Sequence, residues 1–299
     1  MKILVTGACG HIGSKLIRNL PESYDLIIVD NMLTQRYPSL FYIMREVKFF
    51  EQDISDITVD QLEGVDVVIH LAAITNAERS FKNQEEVEDI NFAKTKKFID
   101  TCQKAKCKFI FPSSTSVYGV ATDEVFEDNK KSLNPQSPYA DSKIKIEDYL
   151  EQTDLEYIVL RFGTIFGESV GMRFHTAINK FCYQAAMGVP LTIWKQNYEQ
   201  YRPYLGLNDC ISSIVHFIDK EGSNWRQTYN ILTGNYRLKD IVERINEIKP
   251  VEISMVNTPL LNQYSYMVNF DKALSTGYAP KDDLFDTVEH LLELLGDLS

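Results

Sequence analysis

Tyr139 and Lys143 stand four positions apart in a stretch that reads as a helix, so the two side chains share a face. An ammonium held near a phenol favours the phenolate and would draw its pKa down from about 10 toward working pH. A tyrosine placed in this way can act as a general base. Such pairs are common on helices. This one follows Ser114, 139 − 114 = 25 residues earlier, in the serine-rich run Ser113-Ser114-Thr115-Ser116-Val117-Tyr118-Gly119 at the end of an apolar strand.

A second constellation lies at the N-terminus. Lys2 to Thr6 reads as a short buried strand, Gly7 to Gly13 as a tight turn opening a helix through Leu20, and Leu26 to Asp30 as a strand ending on a carboxylate. Gly7 allows the sharp turn, Gly10 lets the main chain approach a pyrophosphate, and Gly13 lets the helix pack on the strand. The helix N-terminus offers free N–H groups and a positive dipole end to the anion. Asp30 follows Gly13 by 30 − 13 = 17 residues, where a carboxylate can accept both hydroxyls of an adenosine ribose. It would repel a 2′-phosphate, so NAD is expected rather than NADP.

The elements that must position these groups alternate. Asn31 to Arg45 reads as a loop or short helix beside the ribose, and Val47 to Ile54 as a third strand. Asp53 and Ile54 then either meet the adenine or form an acidic strand cap. Asp66 to Ala73 is an apolar fourth strand, as expected of a parallel strand covered on both faces, with His70 an interior hydrogen-bonded group. Glu85 to Lys104 has helical spacing, with Asn91 on or beside its inward face in need of a partner. Lys108 to Pro112 is the fifth strand. Ser137 is the expected N-cap of the helix carrying Tyr139, with Pro138 in its first turn.

Further on, Glu156 to Arg161 reads as a strand followed by a loop, Phe174 to Gly188 as an amphipathic helix, and Pro190 to Trp194 as extended. Asn208 to Asp219 and Leu238 to Ile248 read as helices, Thr228 to Leu232 as a strand. Arg202 is singled out because its fork suits a phosphate oxygen, a surface salt bridge being the alternative. Beyond about residue 164 the alternation becomes irregular, which suggests a smaller part built on the sheet.

Composition narrows the partners. The formal charge is 31 − 42 = −11 over 299 residues, with no basic run, which argues against a nucleic-acid backbone as ligand. The five cysteines are scattered without metal-ligand spacing and fit a reducing compartment. No apolar stretch reaches ~18 residues and the chain opens directly on a strand, so neither a membrane span nor a signal peptide is expected. The cytoplasm is the default location.

Taken together, Gly7, Gly10, Gly13, Asp30, Asp53-Ile54, His70 to Ala73, Asn91, Ser113 to Gly119, Tyr139 with Lys143, and Arg202-Pro203-Tyr204 resemble the extended short-chain dehydrogenase/reductase family, in particular its NAD-dependent nucleotide-sugar epimerases and dehydratases. The resemblance runs from Lys2 to about Pro280. It implies an α/β fold, a Rossmann-type doubly wound parallel sheet with a smaller C-terminal substrate-binding part: an NAD-binding domain at 1–164 and a mainly substrate-binding part at 165–299, intertwined with the first. It implies Ser114, Tyr139 and Lys143 as the catalytic set. NAD would meet His11, Ile12, Asn31, Leu71, Ala72, Ala73 and Asn91 besides the glycines, Asp30, Asp53, Ile54, Tyr139 and Lys143. Thr75, Ser114, Thr115, Tyr139, Thr164 and Arg202 would surround a nucleoside-diphosphate sugar. No metal is called for, and a homodimer through the helices at 85–104 and 138–150 is expected.

The implied activity is epimerisation by transient oxidation at C4 to a 4-keto sugar, the alternatives being a C4 oxidase or 4-ketoreductase on the same triad. The family's 4,6-dehydratases carry an Asp-Glu pair directly after the catalytic Ser or Thr. Thr115 and Ser116 stand there instead, which disfavours dehydration, and a non-catalytic nucleotide-binding role is further disfavoured by the intact triad. Gly163-Thr164 replaces an asparagine common among 4-epimerases, no arginine follows Arg244, and the run Lys195 to Tyr204 is altered from the usual pattern. These departures point away from UDP-galactose toward another nucleotide sugar.

Overall fold

The computed structural model describes residues 1–121, 123–257 and 266–296. Apolar runs rich in β-branched residues form strands covered on both faces, joined by helices that cross between them. In chain order these are β1 (Lys2–Thr6), α1 (His11–Asn19), β2 (Asp25–Asp30), β3 (Val47–Glu51) and β4 (Val67–His70). A helix then starts at Gln84–Val87, runs through a π-helical stretch at Glu88–Lys94 and continues as α2 (Thr95–Ala105). β5 (Lys108–Ser114), α3 (Pro138–Glu151) and β6 (Tyr157–Phe162) complete the first half.

The second half contributes β7 (Thr164–Phe166), α4 (Ala177–Ala186), β8 (Leu191–Trp194), β9 (Tyr201–Gly206) and α5 (Leu207–Ile218). β10 (Gln227–Ile231), β11 (Gly234–Arg237), α6 (Leu238–Ile248), β12 (Ile253–Val256) and α7 (Leu284–Gly296) follow.

Seven strands form one sheet in the order β10-β6-β5-β4-β1-β2-β3, and every neighbouring pair is parallel. Alternate residues feed two cores. Ile3 and Val5 of β1 face one side with Leu16, Ile17, Ile214 and Phe217 of α1 and α5, while Leu4 faces the other with Phe98, Ile99, Ile146 and Leu150 of α2 and α3. The chain after residue 165 therefore returns to the first core, supplying α5 and the edge strand β10. A separate core joins α4, α6 and α7 beside a three-stranded sheet β11-β9-β7 and the β12-β8 pair.

Several expectations shift. The third strand ends at Glu51, and Asp53 caps the next turn by accepting from Ser55 N at 3.0 Å. The loop expected after β6 contains β7, which pairs with β9. The helix expected at 85–104 forms over 84–105 with a π stretch inside it, where the Thr95 hydroxyl donates to the Ile90 carbonyl five residues back at 3.2 Å. Among the described residues, no helix is long and apolar enough to cross a membrane.

α3 is tied to the sheet by buried charge. Glu147 of α3 accepts from Arg161 Nε at 3.1 Å and from its Nη2 at 2.5 Å, and from the Ser113 hydroxyl. Arg161 Nη1 donates to the Tyr118 hydroxyl at 2.9 Å, which donates to Asn230 Oδ1 of β10 at 2.7 Å. Both charged side chains are under a tenth exposed (4% and 7%). Burial opposes the guanidinium's charge, but Glu147 outweighs it and the Arg161 pKa is raised. Arg161→Met should cost about 3–5 kcal/mol in urea denaturation, since it strands Glu147 in the interior. The double change with Glu147→Leu should recover much of that loss; equal destabilisation by both would contradict the pairing.

Candidate active site

The carboxyl ends of β1, β4, β5 and β6 meet at one edge of the sheet, where a crevice is expected in doubly wound folds. A cavity of about 450 Å³ opens there. It is lined by Gly7, Gly10, His11, Ile12, Gly13, Leu71, Ala73, Thr75, Ser114, Tyr139, Lys143 and Thr164 from the sequence-derived set.

The other expected residues stand beside or behind that lining. Asp30 accepts from Cys9 N and Met32 N, both at 2.9 Å, and so ties the glycine turn to the end of β2. Asn31 is exposed and accepts from Leu33 N at 3.1 Å. Asp53 also receives Lys94 Nζ at 3.2 Å, and Ile54 is buried in the core. Ala72 N donates to Thr6 Oγ1 at 3.3 Å. Asn91 is engaged by Ile74, donating to its carbonyl at 2.9 Å and accepting from its N–H at 2.8 Å, so it shapes the loop after β4. The Thr115 hydroxyl turns away to the Phe162 carbonyl at 3.2 Å. Arg202 lies with its guanidinium 5.3 Å from the Tyr266 ring centre, and the Tyr266 hydroxyl donates to the Thr115 carbonyl at 3.3 Å.

The dinucleotide turn is a preformed cradle. Gly7 has φ +65°, and a Cβ there would stand 2.6 Å from Ala72 N, so only glycine fits between β1 and the loop after β4. α1 begins at the cavity with no acidic side chain in its first turn. His11 Nε2 is buried there without a hydrogen-bond partner. Burial, with Arg173 nearby, takes the His11 pKa down to about 3, so the ring is neutral at working pH. A cradle with a helix N-terminus and an orphaned ring nitrogen fits the pyrophosphate of NAD.

Ser137 caps α3 by accepting from Ala140 N at 3.2 Å with Pro138 as first helical residue, which fixes where Tyr139 and Lys143 emerge. The Tyr139 hydroxyl is hydrogen-bonded to the Ser114 side chain. Lys143 Nζ donates to the Pro112 carbonyl at 2.7 Å and lies 4.5 Å from the Phe111 ring centre. His70, under the same floor, is hydrogen-bonded on both nitrogens, by Thr6 at 2.9 Å and Thr95 at 3.1 Å. Burial, with Lys143 beside it, pulls its pKa to about 3, so it too is neutral.

Burial sets the charge balance in the site. Burial pushes the Tyr139 phenol up to about 12, against the Ser114 hydrogen bond and the charge of Arg173, which pull it down. Lys143 is instead itself depressed to about 8 by burial, although Glu147 one turn on favours its charge. Arg173 lowers the phenol, and Lys143 Nζ stands 5.8 Å from the Tyr139 ring centre.

Sequence reasoning missed Arg173 and Ser116. Arg173 lines the cavity and its Nη1 donates to Thr75 Oγ1 at 2.8 Å, while its Nε is buried without a partner. Ser116 also lines the cavity, and its buried hydroxyl has no partner. Ser116 was within the serine-rich run, but Arg173 carries no local signal, since it lies in an irregular segment between β7 and α4.

A model of the NAD dependent epimerase/dehydratase family matches residues 3–231. The uncharacterised UDP-glucose epimerase YtcB of Bacillus subtilis (strain 168) is 31% identical over 238 residues, 74% of this chain and 73% of that protein. The dTDP-D-glucose 4,6-dehydratase of Homo sapiens is 25% identical over 313 residues, 94% of this chain and 85% of its own. Among solved structures, the UDP-glucuronic acid 4-epimerase from Bacillus cereus, in complex with UDP-glucuronic acid and NAD, superposes with a TM-score of 0.88 at 27% identity over all of both chains.

The buried lysine gives a pH test. Its pKa falls from 10.5 to about 8 on folding, so between these values the unfolded chain binds the extra proton and folding stability rises with pH. Lys143→Met removes that component. In urea titrations from about pH 7 to 10, the stability difference between wild type and Lys143→Met should move in favour of the wild type as pH rises; a difference that stays flat contradicts the depressed pKa.

Proposed function

The chain belongs to the NAD dependent epimerase/dehydratase family, and within it we propose a 4-epimerase of a nucleoside-diphosphate sugar that carries a carboxylate on the sugar ring. The observation that carries this reading is the grouping of Arg173 and Ser116, each with an unpartnered buried polar atom, around the Ser114–Tyr139 pair. A guanidinium with a free N–H and a free hydroxyl lining one cavity suit a carboxylate acceptor. The 27% identical epimerase bound to UDP-glucuronic acid supports the same substrate class.

Bound NAD supplies a reversible hydride acceptor for sugar C4. Ser114 holds the C4 hydroxyl, and Tyr139, acting as the phenolate, takes its proton as the 4-keto sugar forms. Arg173 stabilises that phenolate before the transfer and again as the proton is returned, and Lys143 adds a positive charge under the helix face. After the keto sugar presents its other face, Tyr139 returns the proton and the C4 epimer results. Dehydration needs an acid and a base beside Ser114. Thr115, bonded to the Phe162 carbonyl, and the neutral Ser116 hydroxyl supply neither. A C4 oxidase would use the same groups and differ only in releasing the reduced cofactor. Location in the cytoplasm, assembly as a homodimer through the helices at 84–105 and 138–151, and a diphosphate contact from Arg202 belong to this reading.

Product analysis by NMR after incubation with UDP-glucuronic acid and UDP-glucose tests it. The uronic acid should give its C4 epimer at the higher kcat/KM, and Arg173→Met, which also removes the charge acting on Tyr139, should lower both values but cut that of the uronic acid by about tenfold more. Equal losses on both sugars would confine Arg173 to the phenol and remove the carboxylate contact. Tyr139→Phe should lower kcat by about 100-fold or more with NAD affinity kept; full activity in that variant would remove Tyr139 from the proton transfer.

A further inference from the structure

Between β7 and α4 the chain crosses back over the dinucleotide cradle as a short strap, residues 168–173. Four side-chain bonds hold it there. Lys15 Nζ of α1 meets Glu168 Oε1 at 2.8 Å, and the Ser169 hydroxyl meets His11 Nδ1 at 2.8 Å. Gly171 N donates to Ser14 Oγ at 3.0 Å, and the Gly171 carbonyl accepts from Arg36 in the loop after β2. Backbone lies on backbone at the centre: a Cβ on Gly171 would stand 2.5 Å from the Gly10 carbonyl oxygen and 2.7 Å from that of Cys9.

The strap is also closed on itself. Asn179 of α4, fully buried, accepts from Gly167 N at 3.0 Å and donates to the carbonyls of Gly167 at 3.1 Å and Arg173 at 3.4 Å, pinning both ends. At its far end Arg173 reaches Thr75 in the loop after β4. The strap thus touches the three loops that wall the cofactor side of the crevice: the β1–α1 turn, the loop after β2 and the loop after β4.

We propose that residues 168–173 determine reaction outcome by retaining the dinucleotide in both redox states: a cofactor that leaves must first break the strap from α1, so the 4-keto sugar is reduced before the cofactor can exchange. The proposal rests on the epimerase reading above and goes beyond it, because the catalytic groups alone do not distinguish epimerisation from net oxidation. His11 joins the strap to the cradle: its Nδ1 shares a hydrogen bond with the Ser169 hydroxyl at 2.8 Å, and its Nε2 is buried without a partner on a ring that lines the cavity.

The test reads cofactor release without any sugar present. The full-length protein is loaded with NADH, and dissociation is followed by the loss of bound-NADH fluorescence on dilution into excess NAD. Glu168→Ala with Ser169→Ala removes the strap bonds to Lys15 and His11 of α1, and Gly171→Ala forces the strap off the Gly10 backbone. Either change should raise the dissociation rate by about tenfold or more, with the double variant still unfolding in one cooperative thermal transition. With nucleotide sugar added, the variants should accumulate free NADH and 4-keto sugar in equal amounts, C4 giving its hydride to NAD and its hydroxyl proton to Tyr139. Release from the folded double variant at the wild-type rate would overturn the strap. Faster release in the variants, with no epimer formed by any of the proteins, would leave the strap standing and sink the sugar reading instead.

Discussion

Parallel pairing fixes one edge of the seven-stranded sheet as the place where chemistry can gather. Every strand must be followed by a crossover, so the loops leaving β1, β4, β5 and β6 open on the same side. The glycine turn, the loop held by Asn91 and the serine-rich turn thereby meet residues far away in sequence. α3 completes the site from one face of the sheet. Its hold on β5 and β6 runs through Glu147, which binds Ser113 next to Ser114 and Arg161 next to the loop that leads to β7. The helix that carries Tyr139 and Lys143 is thus registered against the serine it must reach.

Burial then sets the charge states. The protein is acidic overall, with a formal charge of −11, yet Lys143 and Arg173 meet at this crevice beside two histidines held neutral. That arrangement suits an anionic ligand at both ends, a dinucleotide pyrophosphate at the cradle and a charged sugar at the serine turn. Desolvation alone would hold the Tyr139 proton too tightly for a base. The Ser114 bond and the Arg173 charge oppose it, and a substrate oxygen entering between Ser114 and Tyr139 would join that same hydrogen-bonded path.

What the sequence made legible was local. The turn from Gly7 to Gly13, the carboxylate ending β2, the Ser137-Pro138 entry and the Tyr139–Lys143 spacing each follow from a few neighbouring residues, and the matching elements form where expected. The helix at Leu238–Ile248 was equally clear because its apolar residues repeat at helical spacing. What escaped depends on tertiary return. β7 is a strand only because β9 pairs with it, and the π stretch accommodates Asn91 in its bond to a distant loop. Arg173 becomes a site residue because 168–173 folds back across α1, which no periodicity in that segment announces. Burial of the tyrosine also depends on tertiary packing: spacing places Lys143 on the right face, 5.8 Å from the Tyr139 ring centre, while its ammonium donates to the Pro112 carbonyl of β5.

The central claim is that the C4 hydrogen leaves and returns within one closed site. Nucleotide sugar labelled with deuterium at C4 is converted by the unlabelled protein in ordinary water, and the epimer is read by mass spectrometry and NMR. The account requires the product to retain deuterium at C4 with none appearing in solvent or in free cofactor. Loss of the label from C4 of the product, with hydrogen in its place, would contradict it.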